Sequence, residues 1–127
     1  MEFLVVEDDP HMLAAEIVGL ELRWPEATVR GVTTGEAALR AIRNQHPDVV
    51  LLDVRLPDKT GLEVLYEIRQ QSDVPVLLVT ECDEEYARVV GHALGATDFL
   101  PKPVSSQVLI ERVTAALNGS TSDTADA

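Results

Sequence analysis

Four apolar stretches of this chain each end in side chains that can take part in phosphoryl chemistry. Glu7 and Asp8 follow the first stretch, Asp53 ends the second, Thr80 ends the third, and Lys102 comes shortly after the fourth. A set of carboxylates that contains no histidine or cysteine favours a hard divalent ion, and a loose cluster completed by water suits Mg²⁺. A carboxylate nucleophile, a metal, a hydroxyl and a lysine together predict phosphoryl transfer to Asp53.

Each of these residues also has a simple structural role open to it. Asp53 can cap a turn, Glu7 and Asp8 can form a solvated loop and helix cap, Thr80 can be an ordinary strand residue, and Lys102 can form a surface ion pair of little energy. These alternatives lose weight if the side chains meet at one edge of a sheet. Three carboxylates a few ångström apart repel by roughly 4 kcal/mol per pair near a protein surface, so a cation has to lie among them.

Residues 49–61, VVLLDVRLPDKTG, indicate the central strand of the fold that must bring these groups together. A short apolar run closed by turn residues is typical of a strand buried on both faces. Strands are predicted at residues 3–6, 27–32, 49–53, 74–80 and 98–100, each followed by a helical pattern. This alternation predicts a single-domain, three-layer α/β fold, a doubly wound (βα)5 arrangement with a five-stranded parallel sheet. Right-handed crossovers bring the carboxyl ends of all strands to one edge.

Local signals indicate where the helices begin and which side they bury. Asp9 before Pro10 supplies an N-cap oxygen and a proline at the first helical position, and Thr34 opens the second helix. The apolar faces predicted for the first and fourth helices consist of Leu13, Ile17 and Leu20 and of Tyr86, Val89, Val90 and Ala93. Gly95 is expected to end the fourth helix.

Composition narrows the classes of function. The 127 residues are enough for one domain, expected over residues 1–118, and the small polar residues 119–127 are expected to be a disordered tail or the start of a linker. The net charge of −12 argues against direct contact with nucleic acid or an anionic membrane. The first residues have neither the basic start nor the long apolar run typical of a secretory signal, no run is long enough to predict a membrane-spanning helix, and the single Cys82 fits a reducing cytoplasm.

Four motifs in fixed order resemble the receiver domains of two-component response regulators, the CheY-like family, over about residues 2–118. The motifs are LVVEDD at residues 4–9, DVRLPDKTG at 53–61, LLVT at 77–80 and GATDFLPKP at 95–103, in a pattern closest to receivers of the OmpR/PhoB type. The resemblance implies a flavodoxin/CheY-like fold. It also implies that a sensor histidine kinase passes a phosphoryl group to Asp53 in a Mg²⁺-dependent reaction.

The family pattern also implies a role for each site residue. Asp8 and Asp53 would bind Mg²⁺ directly, Glu7 through water and Arg55 through its backbone carbonyl, while Asp9 is only a helix cap. Thr80 would be the switch hydroxyl and Lys102 the phosphate-binding lysine, aimed inward by a cis bond before Pro103. Phe99 would be the switch aromatic, although it can equally be a plain core residue.

The mechanism that the resemblance implies is a switch rather than an enzyme acting on an external substrate. The domain would catalyse only its own phosphorylation and dephosphorylation, and the face of the fourth helix, fifth strand and fifth helix would change shape. Control of transcription through a further domain is the expected output, and a stand-alone receiver that signals by protein contact is the alternative. A flavodoxin-like electron carrier, a small aspartate-dependent phosphatase and a receiver that never accepts phosphate are the rival interpretations.

Two features depart from the family pattern. Glu81 follows Thr80 where a small residue is usual, and we expect it to pair with Arg55 and narrow the access to Asp53. On the possible dimer face, Leu94 and Val108 stand where acids are expected. The residues that keep the dimer pattern are Arg88, Asp98 and Arg112. A homodimer through this face is therefore a weaker expectation, and Leu94 with Val108 is expected to form an apolar patch instead.

Overall fold

Five strands and five helices alternate along the part of the chain that the computed structural model describes, residues 1–81 and 84–119. The strands are β1 (Glu2–Val6), β2 (Thr28–Val32), β3 (Val49–Asp53), β4 (Val76–Thr80) and β5 (Asp98–Pro101). The helices are α1 (Pro10–Arg23), α2 (Gly35–Gln45), α3 (Gly61–Arg69), α4 (Glu85–Leu94) and α5 (Ser106–Leu117). All strand pairs are parallel and the order is β2-β1-β3-β4-β5, which confirms the predicted α/β fold.

Side-chain alternation along the strands divides the interior into two cores. Phe3, Val5 and Leu51 lie in the core covered by α1 and α5, and Leu4 and Leu52 lie in the core covered by α2, α3 and α4. Every residue of β3 and β4 is buried, as expected for central parallel strands covered on both faces. No helix among the described residues is long and apolar enough to cross a membrane.

The helix starts follow the local chemistry of the sequence. The Asp9 carboxylate accepts hydrogen bonds from the backbone N–H groups of His11 and Met12 at 2.8 and 3.2 Å, which confirms the predicted cap of α1. The hydroxyl of Thr34 accepts from the N–H of Ala37 at the start of α2. These polar oxygens satisfy N–H groups that the first turn of a helix leaves unpaired.

Strand β4 begins two residues later than predicted, at Val76. The backbone of Val74 is engaged outside the sheet, because its carbonyl accepts from Arg69 Nη1 at 2.8 Å and its N–H donates to Ser72 Oγ at 3.0 Å. The apolar run therefore extends beyond the strand proper.

The predicted buried face of α4 is wrong. Tyr86 and Val89 are 75% and 63% exposed, and the buried residues of α4 are Ala87 and Gly91. A Cβ on Gly91 would lie 2.5 Å from a Leu78 methyl carbon, so the helix backbone packs directly onto the sheet. The small residues Ala87 and Gly91 therefore face inward, whereas Tyr86 and Val89 face solvent.

Gly95 ends α4 at φ 100°, as predicted. Cys82 and residues 120–127, on which the cysteine and tail predictions fall, lie outside the described part of the chain.

Candidate functional site

The carboxyl ends of β1, β3 and β5 bring three of the predicted site residues together. Glu7 continues β1, where its N–H donates to the Val32 carbonyl at 3.1 Å, and Asp53 is the last residue of β3. Lys102 follows β5, and its N–H donates to the Thr80 carbonyl at 2.8 Å. Alternation along these strands places Glu7, Asp53 and Lys102 on the face covered by α1 and α5.

Three carboxylates form one acidic cluster at this edge. Carboxylate oxygens of Glu7, Asp8 and Asp53 all lie within 4.8 Å of one another. Glu7 and Asp53 are buried, whereas Asp8 is exposed. Burial, with a smaller contribution from Asp53, raises the pKa of Glu7 to about 8. Burial therefore leaves the negative charge of this cluster poorly solvated.

The cluster has the donor set that a hard divalent cation needs. Glu7 Oε1 is buried and has no hydrogen-bond partner within residues 1–81 and 84–119, so one carboxylate oxygen inside the site is available as a ligand. Asp8 offers a second carboxylate on the solvent side. Oxygen donors, mixed burial and one open side fit a partly hydrated Mg²⁺.

Lys102 supplies the positive charge of the site. Its Nζ lies 3.2 Å from Asp53 Oδ2 and 3.8 Å from Glu7 Oε1, with the lysine side chain 13% exposed. Burial alone lowers the pKa of Lys102, but the charges of Asp53 and Glu7 outweigh it and hold the pKa above its ordinary value. The bond between Lys102 and Pro103 is cis, as the family pattern implied.

Thr80 and Phe99 lie on the opposite face of the sheet from the acidic cluster. Thr80 is fully buried, and its Oγ1 has no hydrogen-bond partner among the residues described. Phe99 is half-buried, packs against the core covered by α2, α3 and α4, and approaches Gly91 of α4. The Thr80 hydroxyl, which has no partner among the described residues, and the half-buried Phe99 ring therefore lie across the sheet from the acidic cluster.

The predicted pair between Glu81 and Arg55 is wrong, because Glu84 pairs with Arg55. Arg55 Nε lies 2.9 Å from Glu84 Oε2, and Glu84 Oε1 accepts from the Glu81 N–H at 2.6 Å. The side chain of Glu84 folds back from the N-cap position of α4, which turns its second oxygen toward Arg55. The Arg55 N–H in turn donates to Asp53 Oδ1 at 3.2 Å. Glu84 therefore links the loops after β3 and β4 beside Asp53.

Glu81 still acts on the site electrostatically. Its carboxylate is half-buried, and its charge helps to raise the pKa of Lys102. Burial opposes ionisation of Glu84, but the bonds from the Glu81 N–H and from Arg55 outweigh burial and lower the pKa of Glu84. A charged Glu84 holds the loop link in place.

On the possible dimer face, Asp98 and Arg112 pair within the chain. Arg112 Nη1 lies 3.4 Å from Asp98 Oδ1 and also donates to the carbonyl of Phe99. Leu94 and Val108 are half-buried and pack against opposite cores. The apolar patch expected from these two residues stays a prediction.

Sequence reasoning missed two acidic residues near the site, Glu84 and Glu16. Glu16 is only 4% exposed, although the buried side of α1 was assigned to Leu13, Ile17 and Leu20. Its position one turn before the fully buried Leu20 is the signal that could have revealed it. Glu84 stands at the N-cap of α4, but its side chain makes no capping bond and accepts instead from the Glu81 N–H, which no sequence signal indicated.

Comparison with known proteins gives a consistent result. The model of the response regulator receiver domain matches residues 3–114. The chain is 40% identical over 115 residues to the probable transcriptional regulatory protein TcrX of Mycobacterium tuberculosis, covering 90% of this chain and 48% of that protein. It is 42% identical over 114 residues to the sensory transduction protein RegX3 of Mycobacterium bovis, covering 90% of this chain and 49% of that protein.

Solved structures agree with the sequence matches. A putative response regulator from Chloroflexus aurantiacus is 34% identical with a TM-score of 0.81, covering 92% of this chain and 97% of that one. A CheY-like receiver domain protein from Methanospirillum hungatei is 26% identical with a TM-score of 0.85, covering 93% of this chain and 94% of that one. The chain spans about half the length of the curated relatives it matches.

Proposed function

This chain belongs to the family of response regulator receiver domains, and on that premise we propose that Asp53 accepts a phosphoryl group from the histidine of a sensor kinase. The observation that carries the proposal is the position of Asp53, a buried carboxylate 3.2 Å from the Lys102 ammonium and grouped with Glu7 and Asp8. A carboxylate oxygen of Asp53 attacks phosphorus while the bond from phosphorus to the histidine nitrogen breaks. Asp53 is then an aspartyl phosphate.

The other site residues bind and orient the group being transferred. Glu7, Asp8, Asp53 and the backbone carbonyl of Arg55 would hold Mg²⁺, which when bound neutralises charge on the phosphoryl oxygens. The Lys102 ammonium moves from Asp53 to a phosphoryl oxygen as a point-charge ligand. These residues also serve hydrolysis, in which a water oxygen attacks phosphorus, the bond from phosphorus to the Asp53 oxygen breaks and inorganic phosphate leaves. The domain thus catalyses only its own phosphorylation and dephosphorylation.

The proposed switch uses Thr80 and Phe99, which lie across the sheet from the acidic cluster. The hydroxyl of Thr80, buried without a partner among the described residues, donates to the phosphoryl group once it is present. Phe99 then rotates into the vacated space, and the face formed by α4, β5 and α5 changes shape. Access to Asp53 is limited by Arg55, held by Glu84, with Glu81 contributing charge at the rim.

We place this receiver, over residues 1–118, in the cytoplasm with a sensor histidine kinase as its partner. Its output is transcriptional control through a further domain, since the relatives it matches are about twice its length and one is described as a transcriptional regulatory protein. The second proposed partner for that output is another copy of this chain, in a homodimer through α4, β5 and α5. The charge of −12 makes direct contact of this domain with nucleic acid or membranes unfavourable.

Intact mass after incubation with Mg²⁺ and acetyl phosphate tests the proposal. We expect one added phosphoryl group on the unaltered protein, and none on Asp53→Asn or when Mg²⁺ is removed by chelation. The Asn variant is a matched control because it keeps the size and shape of the side chain. An adduct that persists in Asp53→Asn, or no adduct on the unaltered protein with any small donor, would refute it.

A further inference from the structure

The loop after β3, residues 54–60, is bonded to the start of α2 through Asp58. Asp58 Oδ1 accepts a hydrogen bond from the Gly35 N–H at 2.8 Å, and Asp58 Oδ2 accepts one from the Glu36 N–H at 3.0 Å. The two donors are 23 and 22 residues away in the sequence. Asp58 is an exposed residue to which the proposed function assigns no role, yet both of its carboxylate oxygens are engaged in joining two separate elements.

Asp58 completes a helix cap that α2 supplies only in part. The N-cap residue Thr34 accepts from the third N–H of the helix, that of Ala37. The first two N–H groups, those of Gly35 and Glu36, donate to Asp58 instead, which satisfies groups that a helix start leaves unpaired. These two bonds hold the pKa of Asp58 below its ordinary value, so its carboxylate is charged at neutral pH. A negative charge is favourable at the positive end of the helix dipole.

Lys59 adds a second attachment between the loop and α2. A Cβ on Gly35 would lie 2.6 Å from Lys59 Cγ, so the lysine stem packs directly on the start of the helix. Lys59 Nζ lies 3.1 Å from Glu67 Oε2 of α3 and 3.7 Å from Glu36 Oε2 of α2. The middle of the loop is therefore held against α2 by two neighbouring side chains.

The start of α2 is itself tied to the sheet close to the point where Asp58 binds. All five residues of β2 pair in register with β1, up to Val32 opposite Val6. The Val32 carbonyl also accepts from the Glu7 N–H at 3.1 Å. Because Gly35 follows Val32 by only three residues, the helix start is a fixed point, and a bond to it restrains the loop.

Between Asp58 and Arg55 the loop has little freedom to absorb a movement. Pro57 has a fixed φ and also restricts the residue before it, Leu56, which packs against the core covered by α2, α3 and α4. At the other end of this short segment, the Arg55 N–H donates to Asp53 Oδ1 at 3.2 Å. A displacement of Asp58 is therefore passed on to the part of the backbone that contacts the acceptor carboxylate.

We propose that Asp58 is a positioning residue that holds the backbone of Arg55 ready to bind Mg²⁺ by anchoring the loop after β3 to α2. This inference rests on the proposed function, in which the Arg55 carbonyl is a Mg²⁺ ligand. Without the anchor, Mg²⁺ has to order the loop as it binds, and the free energy of that ordering is subtracted from the free energy of binding. The affinity for Mg²⁺ then falls, whereas the rate of phosphorylation with Mg²⁺ bound stays nearly unchanged.

The test is titration with Mg²⁺ in the absence of a phosphodonor, followed by the nitrogen-15 amide shifts of Asp53 and Arg55. Asp58→Asn and Asp58→Ala remove the same charge, so a general electrostatic effect on Mg²⁺ is equal in both variants. Asparagine keeps one acceptor oxygen and alanine keeps none. We expect the Kd for Mg²⁺ to rise about three-fold in Asp58→Asn and about ten-fold in Asp58→Ala, at the lower end of what loss of an outer-shell partner costs.

Asp48→Ala is the matched control. Asp48 is also exposed, and its carboxylate also accepts a backbone N–H that is distant in the sequence, that of Glu2 at 2.7 Å. It lies at the amino ends of the strands, where salt screens its charge from the site, so we expect its Kd for Mg²⁺ to stay within about two-fold of the unaltered protein. The rate of phosphorylation by acetyl phosphate at saturating Mg²⁺, measured by intact mass, should also differ by no more than about two-fold among these variants.

Equal Kd values for Asp58→Asn and Asp58→Ala would overturn the inference, because charge alone would then account for any change, and so would a matching rise in Asp48→Ala. Failure of the proposed function looks different, because then even the unaltered protein gains no phosphoryl group, while the Kd comparison, made without a donor, still decides on Asp58. Amide hydrogen exchange without metal is the second readout. We expect exchange of the Arg55 N–H to be about ten-fold faster in Asp58→Ala, and faster exchange confined to Gly35 and Glu36 would also overturn the positioning role.

Discussion

Replacing Glu16 by glutamine should make the protein more stable at high pH while leaving its stability at low pH nearly unchanged. The carboxyl of Glu16 is 4% exposed, and burial, with the charge of Asp53, raises its pKa from 4.5 to about 7. The folded state therefore holds the proton more tightly than the unfolded chain does. This favourable term is complete below about pH 4.5 and is lost as the pH rises to about 7.

The size of the effect follows from the shift. Each pKa unit corresponds to about 1.4 kcal/mol, so ionising Glu16 in the folded protein costs about 3 kcal/mol at most. Glutamine has the same shape and no charge, so the variant avoids this cost. The free energy of unfolding of Glu16→Gln, minus that of the unaltered protein, should rise by up to about 3 kcal/mol between about pH 5 and about pH 8.5.

Urea unfolding at several pH values, in buffer with a metal chelator, measures this difference. Titration of Glu7 is common to both proteins and drops out of the comparison. Glu21→Gln, on the exposed side of α1, should differ from the unaltered protein by no more than about 0.5 kcal/mol at every pH. A stability difference for Glu16→Gln that does not change with pH would show that Glu16 is not held in a protonated form by burial.

Two further predictions concern the ion pairs of the site. Lys102→Met leaves Asp53 and Glu7 without their cation, so we expect a loss of about 3 kcal/mol in urea unfolding without metal, and recovery of at least half of it in the double variant with Asp53→Asn. No recovery would mean that the lysine stabilises the fold by other contacts. Glu84→Gln breaks an ion pair whose arginine side chain is 67% exposed, so we expect little change in stability but up to about five-fold faster loss of phosphate from Asp53, measured by intact mass. A half-life equal to that of the unaltered protein would rule out control of access by this pair.

The sheet and the helix starts are predictable from the sequence because they depend on local chemistry. The apolar run closed by Asp53 and a turn is a central strand, and oxygens of Asp9 and Thr34 cap the helices that follow β1 and β2. Parallel pairing then requires the strand ends to meet, so Glu7 and Lys102 join Asp53 although they are far apart in the chain. The grouping of the site follows from topology rather than from any one motif.

The errors arise where packing distance or rotamer choice decides. The periodicity of α4 predicts that Tyr86 and Val89 face the core, but Gly91 brings the helix too close to the sheet for large side chains to fit between them. In the loop after β4, the backward fold of Glu84 onto the Glu81 N–H turns the other carboxylate oxygen of Glu84 toward Arg55. The pattern of apolar residues predicts neither the distance between α4 and the sheet nor the rotamer of Glu84.

The alternation of the strands puts the phospho-acceptor and its lysine on one face of the sheet and the two switch residues on the other. Asp53 and Lys102 lie on the face covered by α1 and α5, whereas Thr80 and Phe99 lie on the face toward α4. Under the proposed function, a signal must therefore cross the sheet at its edge. The Lys102 N–H bonded to the Thr80 carbonyl at 2.8 Å connects the two sides there. Because Lys102 lies on the side of α1 and α5, and Gly91 brings α4 close to Phe99 on the other side, both cores are in a position to bias the same switch.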